Sequence, residues 1–505
     1  MAFKAVNLGD LKDPATPGDR VALIDQKEWE APRTLTHAEL DAACNAAARG
    51  FVQYGLERGQ AIAILSANRS EFLIAYFGAM RAGLVAVPVN YRFPRRIIEH
   101  IMGDADVKLA LCDEASRCEL PVGLPCVSFD EAGEHGFARF LKPGAFDAVQ
   151  PTPGEIAMIL YTSGSSGRPK GVKLSHDGHL WSVGRRVDAG SFENERLLIA
   201  APLFHMNGLG TAKFVVGAGC AMVLQPKFEP KRYLEAASRF RCTWLTGVPA
   251  MYAMMTRERS SIAQLDLSHV KYVRLGSAPA TQKLIDDIRA IFPRAAVSVV
   301  YGTTEAGPVV FGPHPAGLEK PDLALGWPAP GVTARFATPQ MEAAGEGVLV
   351  LHTPAMMAGY ANMPEKTAEV TMPDGAYVTG DIFRRAPEGH FTFVGRADDM
   401  INCGGENIFP AEVETLLERH PSVAQASVVA IPDDIKGEKP VAFVVLKDRM
   451  SATEDEIKTF ALDNAPAFQH PRRVKFLAEL PLAGTNKVDR NALRRLAEHE
   501  WASTE

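Results

Sequence analysis

Between residues 35 and 344, short apolar runs of strand length alternate with longer segments of helical period. No other feature of the chain restricts its fold as tightly. The run at 61–65 is Ala-Ile-Ala-Ile-Leu, continuous in the way of a strand buried on both faces. A helix is predicted over 71–82 and a further buried strand over 84–89. The same pattern recurs at 108–112, 156–161, 197–201, 243–247, 273–276 and 297–301, with a helix expected over 279–291. Strands that alternate with helices build α/β layers on largely parallel sheets. With 505 residues, 47% of them hydrophobic, the chain has material for roughly two to four domains.

The texture changes after Gly345. Shorter strands at 348–352, 376–379 and 390–394 stand between Gly- and Pro-rich turns, the pattern of a small antiparallel β subdomain. Beyond Gly395 the pattern is that of a separate α+β unit. Its first helix, 410–418, starts on Pro410 and sets Val413, Leu416 and Leu417 on one face. Strands at 424–431 and 441–446 follow, then helices at 453–464 and 489–498. The expected fold class is α/β, with a large N-terminal domain of parallel-type sheets and helices plus a small β subdomain. A small mobile C-terminal α+β domain follows. The expected boundaries are 1–395 for the first domain, 396–399 for a hinge and 400–505 for the second.

Composition removes several classes of function. A net charge of −6 without a basic stripe argues against nucleic acid. The first 14 residues carry Lys4, Asp10, Lys12 and Asp13 and no apolar core, so a secretory signal is not expected. The longest apolar runs, such as 214–224, are too short and Gly-interrupted for an integral membrane segment. Seven cysteines with no CxxC pair point to a reducing, cytoplasmic setting, and the gaps between Cys112, Cys118 and Cys126 do not suit zinc. Nothing here fixes an oligomeric state, and a homodimer is allowed.

Directly after the strand 156–161 comes Thr162-Ser163-Gly164-Ser165-Ser166-Gly167-Arg168-Pro169-Lys170-Gly171. Such a loop can wrap N–H groups and hydroxyls around phosphate oxygens, with Lys170 and Arg168 as counter-charges. It is not a Walker loop. Gly171 stands where a Mg²⁺-binding hydroxyl would be, and Val172-Lys173-Leu174 continues as a strand instead of a helix. Taken alone, the loop reads equally well as a flexible Ser/Gly surface segment.

Four further motifs stand in order along the chain. They are Tyr301-Gly302-Thr303-Thr304-Glu305, Tyr377-Val378-Thr379-Gly380-Asp381, the run from Gly395-Arg396-Ala397-Asp398-Asp399-Met400 to Glu412, and Gly484-Thr485-Asn486-Lys487-Val488. With the Ser/Gly loop they resemble the adenylate-forming (AMP-binding) superfamily, in its acyl-CoA synthetase branch. The resemblance covers essentially the whole chain. It implies an ATP-dependent, AMP-forming ligase. A carboxylate attacks the α-phosphorus of ATP, pyrophosphate leaves, and the acyl group passes to the thiol of coenzyme A.

The resemblance also implies roles. Thr162, Ser163, Gly164, Ser165, Ser166, Gly167 and Lys170 would hold phosphates. Glu305 would hold Mg²⁺ and Thr304 would contact phosphate, with Gly302 and Thr303 in the same loop. Tyr301 would pack on adenine, with Gly276, Ser277 and Ala278 along another edge. Asp381 would accept from the ribose hydroxyls, and Arg396 would reach the nucleotide from the domain junction. Lys487 would bridge the attacking carboxylate and the α-phosphate. Asp398 would be the hinge residue, and Gly404 with Gly405 would let the pantetheine arm pass. Phe204, His205, Met206, Asn207 and Gly208, with Val248 and Tyr252, would form the acyl pocket, His205 gating it as one of the catalytic set with Lys487, Glu305 and Thr304. On residue chemistry alone, Tyr301 could be a core aromatic, Asp381 a turn residue, Lys487 a solvated lysine and His205 a satisfied buried histidine.

The pocket segments are rich in Ala, Met, Val, Leu, Phe and Gly, and only Lys213 stands out as a cation for a second carboxylate. A hydrophobic monocarboxylate, a medium or long fatty acid or an aryl acid, is therefore expected. One departure from the family pattern is Gln469-His470-Pro471 followed by Arg472 and Arg473, where many relatives carry a Lys-Arg-Pro run near the CoA nucleotide. Loading of a carrier protein and a non-catalytic acyl- or nucleotide-binding homologue are the competing readings.

Overall fold

The computed structural model describes residues 3–162, 169–403, 406–433 and 435–501. Among these, strands assemble into four sheets. A six-stranded sheet runs Cys126–Ser128, Val107–Cys112, Ala61–Leu65, Val85–Pro88, Ile156–Thr162, Lys170–Ser175. It is parallel except for its last pair. A seven-stranded sheet runs Ala296–Val300, Tyr272–Gly276, Trp244–Gly247, Arg196–Ile199, Ala221–Leu224, Val21–Asp25, Arg33–Thr36. Only its last pair is antiparallel.

The alternation within single strands explains how these sheets stack. In Ala61–Leu65, Ile62 and Ile64 face a core shared with Leu197, Ile199, Met222 and Leu224 of the other sheet. Ala61, Ala63 and Leu65 face a second core on the opposite side. Both faces must be apolar, hence the unbroken apolar run. Helices His37–Gln53, Ser70–Arg81 and Met206–Gly217 fill the shared layer. Ser70–Arg81 is buried almost all round, as a helix packed between two sheets must be.

The third sheet is antiparallel and runs Phe311–Gly312, Ala324–Pro328, Phe391–Arg396, Tyr377–Arg385, Glu346–His352, Thr333–Phe336. It therefore begins well before Gly345, where the change in texture had placed it. Its early strands are short and tucked between prolines, so they lack a clear period. The helix expected over 279–291 starts at Gln282, because Thr281 accepts the Leu284 N–H and caps it.

The fourth sheet lies in residues 401–476. It runs Glu406–Ile408, Ile401–Cys403, Gly437–Leu446, Val423–Asp433, with Arg473–Phe476 parallel to Gly437–Leu446. Helices Pro410–Leu417 and Glu454–Asn464 cover one face and Arg490–Trp501 the other. Asp489 caps the last helix through the Ala492 N–H at 2.9 Å. No helix among the described residues is long and apolar enough to cross a membrane.

This last unit docks on the seven-stranded sheet's surroundings. Arg257 donates to Gln425 at 2.7 Å. Glu418 faces Thr281 and Lys283, and burial pushes its carboxyl up to about 7 against the opposing pull of Thr281 and the Ala426 N–H. A carboxyl with a raised pKa holds its proton more tightly when docked than in water. Docking is therefore strongest at acid pH and weakens as pH rises from the ordinary carboxyl range to about 7. Small-angle scattering should show a more compact particle at pH 5 than at pH 8, and Glu418→Gln should abolish the difference.

Candidate active site

Parallel pairing fixes where the site lies. Gly247 is in register with Leu275, and Gly276 with Val300, so three neighbouring strands end along one edge. Ligands of open parallel sheets gather at that carboxyl edge. Here a cleft of about 2530 Å³ opens there, lined from the seven-stranded sheet, the antiparallel sheet and the final unit.

Tyr301 follows the last of these strands. The turn after it brings Gly302 so close to Pro308 that a Cβ would lie 2.8 Å from the proline Cα. Glycine is therefore required for the turn to fold back. Thr303 accepts the Ala306 N–H at 2.8 Å and pairs with Gly307, which leaves Thr304 and Glu305 at the cleft. Glu305 accepts from Tyr360 Oη at 3.0 Å, and Lys170 Nζ stands 4.6 Å from the centre of the same tyrosine ring. A lysine, a tyrosine and a carboxylate are thus stacked at one end of the cleft.

Asp381 lies in Tyr377–Arg385, opposite Arg396 in Phe391–Arg396. Arg396 Nη1 donates to its Oδ1 at 2.9 Å and Tyr301 Oη donates to its Oδ2 at 2.5 Å. Burial raises the Asp381 carboxyl, and the Arg396 charge with the tyrosine bond opposes the shift. Tyr301 also packs edge-on against Phe383 at 4.9 Å, so it is both a core aromatic and a donor into the cleft.

Lys487 comes from the far end of the sequence. The turn 483–487 is closed by the Ala483 N–H on the Lys487 carbonyl at 2.7 Å, with Asn486 in the left-handed region at φ 60°. Its side chain is half-buried and lines the cleft. Burial pushes its pKa down, partly offset by Asp381 and reinforced by Arg396. His205 lies within reach of the same charge. Burial, then Lys487, lowers the imidazole to about 3, and its Nε2 has no partner among the described residues. Residues more than a hundred positions apart therefore converge in one cleft.

Of the expected acyl-pocket residues, His205, Met206, Asn207 and Val248 line the cleft, whereas Phe204, Gly208 and Tyr252 do not. Helix Met206–Gly217 turns Met206, Asn207, Gly210 and Thr211 to the cleft and Gly208 and Leu209 to the core. Phe204 packs on Tyr91, and Tyr252 is 1% exposed with its hydroxyl on the Arg274 carbonyl. In helix Pro249–Met255 it is Ala250 and Ala253 that face the cleft. Lys213 is also turned away. It meets His179 at 3.2 Å, buried, and burial drops its ammonium to about 7. Arg186 and Arg274, neither of which sequence reasoning singled out, do line the cleft. A charged residue inside the run Val273-Arg274-Leu275 was the available signal.

Thr162, Gly276, Ser277, Ala278, Arg396 and Asp398 also line the cleft. Ser163, Gly164, Ser165, Ser166, Gly167, Gly404 and Gly405 lie outside the described residues. No group of three or more His, Cys, Asp or Glu that could hold a metal occurs among the described residues. Glu305 is thus a single carboxylate. This donor set fits Mg²⁺, which takes one or two carboxylates and fills its shell with nucleotide oxygens and water.

Residues 12–361 match the family described as AMP-binding enzyme, and residues 412–487 match the AMP-binding enzyme C-terminal domain. The chain belongs to the AMP-binding enzyme family. Among its relatives is a feruloyl-CoA synthase from an Amycolatopsis species, 33% identical over 91% of this chain and 94% of that protein. A 4-coumarate-CoA ligase 1 from Narcissus pseudonarcissus is 30% identical over 95% of this chain and 91% of its own length. Among solved structures, ATP-bound MatB from Rhodopseudomonas palustris is 27% identical and superposes with a TM-score of 0.88, covering 98% of this chain and 99% of that one. The apo form of MatB, over the same coverage, superposes at 0.77.

The ion pair at Asp381 generates a test of the site's own electrostatics. Arg396→Ala leaves a buried carboxylate with only Tyr301. Because the guanidinium is half exposed and screened, the loss in stability should be about 1 kcal/mol at neutral pH. It should shrink as pH falls, since a protonated Asp381 no longer needs the cation. Thermal unfolding of both proteins between pH 4 and pH 8 measures this.

Proposed function

We propose that this enzyme is a carboxylic acid–CoA ligase that works through an acyl-adenylate. The observation that carries the reading is the position of Lys487, delivered by the final unit into the cleft that holds Asp381, Arg396, Tyr301 and His205. Attack of a carboxylate on an α-phosphate crowds negative charge between two anions, and a desolvated ammonium at that point lowers the barrier. The better superposition on ATP-bound than on apo MatB supports an arrangement suited to this half-reaction.

In this reading ATP lies along the edge formed by Gly276, Tyr301 and Asp381. The ribose hydroxyls share the Asp381 carboxylate that Tyr301 and Arg396 hold in place. Lys170 meets the phosphates with the Ser/Gly loop, and Thr304 donates to them. Glu305, fixed by Tyr360, would hold Mg²⁺, which would supply charge neutralisation at the phosphate oxygens. His205 is neutral at working pH, since burial and Lys487 keep its pKa near 3. It orients the entering carboxylate by a hydrogen bond and shuttles no proton. After adenylation the unit 400–505 pivots at 396–399 about Asp398, withdraws Lys487 and brings Gly404 and Gly405 to the site for the CoA thiol.

The acid has a hydrophobic body. The names of the relatives favour an aryl or arylpropenoic acid over a fatty acid, and so does the cleft wall. An alkyl terminus would leave Arg186 and Arg274 desolvated and unanswered.

A pyrophosphate-release screen over aliphatic and aryl acids, with and without CoA, tests the reading. AMP and pyrophosphate should form with Mg²⁺ present, and ADP with phosphate would contradict it. Lys487→Ala should slow acyl-adenylate formation by about 10²–10³-fold. Thioester formation from supplied acyl-adenylate should survive. Equal loss of both steps in a folded variant would remove the lysine from its role.

A further inference from the structure

Two guanidiniums open on the acyl half of the cleft, and no carboxylate of the described residues answers either. Arg274 is the middle residue of Tyr272–Gly276, in register with Thr246 and Ser298 on the flanking strands. Its side chain has no hydrogen-bond or ion-pair partner among the described residues, and burial alone lowers it to about 10. Arg186, in helix His176–Val187, donates through Nη1 to the Gly210 carbonyl at 2.9 Å and lies 4.3 Å over the Phe214 ring. Burial lowers it well below its ordinary value, and the charge of Arg274 adds to the shift. Lys213, behind them, is turned to His179, and burial lowers its ammonium to about 7, so it adds no fixed charge. Of the cleft carboxylates, Glu305 and Asp381 are engaged by Tyr360, Tyr301 and Arg396.

A guanidinium does not escape burial by losing its proton. Holding two of them half-buried in the cleft wall without a counter-charge opposes folding, and the neighbouring Thr246 and Ser298 are neutral. A neutral phenol or ether oxygen could take one hydrogen bond there but would leave the charge uncompensated. A carboxylate answers both the charge and the forked donors. On the strand face that carries Gly276 toward the nucleotide edge, Arg274 lies two residues, or about 6.6 Å, deeper.

We propose that Arg274, backed by Arg186, forms an anion subsite at the far end of the acyl pocket. It holds a second carboxylate of a dicarboxylic acid while the first faces Lys487. This rests on the ligase reading above, and it makes the hydrophobic body a spacer, with a single aromatic ring matching the depth.

The experiment compares kcat/KM for pyrophosphate release across two matched series. One is benzoate, 4-hydroxybenzoate and benzene-1,4-dicarboxylate; the other is cinnamate, 4-hydroxycinnamate and 4-carboxycinnamate. In the wild-type enzyme the carboxy member should lead its series by about 10²-fold, the scale of a desolvated charge pair. Arg274→Met should collapse that ratio, and Arg274→Lys should keep part of it. Arg274→Met should also unfold at a higher temperature than wild type without ligand, because it removes a half-buried cation that has no counter-charge. The carboxy acids should raise the unfolding temperature of the wild type and not of this variant. A preference for the unsubstituted or hydroxy acids, or a ratio unchanged in Arg274→Met, overturns the proposal. So does a fall in unfolding temperature in Arg274→Met, which would make the arginine a structural group. Failure of every acid to release pyrophosphate would instead overturn the ligase reading, and the subsite with it.

Discussion

One carboxylate, that of Asp381, joins three parts of the molecule that are distant in sequence. Tyr301 reaches it from the end of the seven-stranded sheet, and Arg396 reaches it across the antiparallel ladder. Arg396 is also the last residue before the turn that leads into the final unit. Its second guanidinium nitrogen donates to Asp398 at 3.2 Å. The register Asp381–Arg396 therefore sets the shape of the nucleotide edge and the exit direction of the chain together. A one-residue slip of either strand would turn its charge to the opposite face, part the pair and dismantle the site.

The protein as a whole carries a net charge of −6, yet its cleft is lined by Lys170, Lys487, Arg186, Arg274 and Arg396. Overall charge thus says little about what the site attracts, since the wall groups act over a few ångströms in a desolvated setting. The two ends of the cleft differ in kind. At the nucleotide end Arg396 is paired with Asp381, while Lys170 lies over the Tyr360 ring that holds Glu305. Arg186 and Arg274 have no counter-charge among the described residues, although Arg186 donates to the Gly210 carbonyl. The first arrangement is neutralised from within the protein, whereas the second is not.

Much of the fold was legible because parallel strands covered on both faces write themselves as unbroken apolar runs. Pro410, at a first-turn position, marked the start of its helix with equal clarity. The early strands of the antiparallel sheet were hidden, because two- to five-residue strands among prolines have no period to detect. The resemblance to the adenylate-forming superfamily made Tyr301, Glu305, Asp381 and Lys487 candidates, but spacing alone could not say that they meet. The acyl wall failed for a different reason. Which of Ala250, Tyr252 and Ala253 faces the cleft depends on the phase of a seven-residue helix, fixed by packing and not by composition.

Arg274 and Lys213 show the same limit from the electrostatic side. In sequence each is a cation among apolar neighbours, and Lys213 seemed the better ligand because it sits in the pocket segment. In the fold the lysine turns to His179 and falls to about 7, so it can relinquish its proton and rest as a neutral amine. The guanidinium, even when lowered to about 10, keeps its charge at any working pH. Burial thus sorts the two cations by chemistry. The lysine can adapt to an apolar site by neutralising, whereas the arginine can only be satisfied by an anion. The fixed charge on this part of the cleft is for this reason Arg274, on a strand whose flanking partners leave the cleft as its route to solvent.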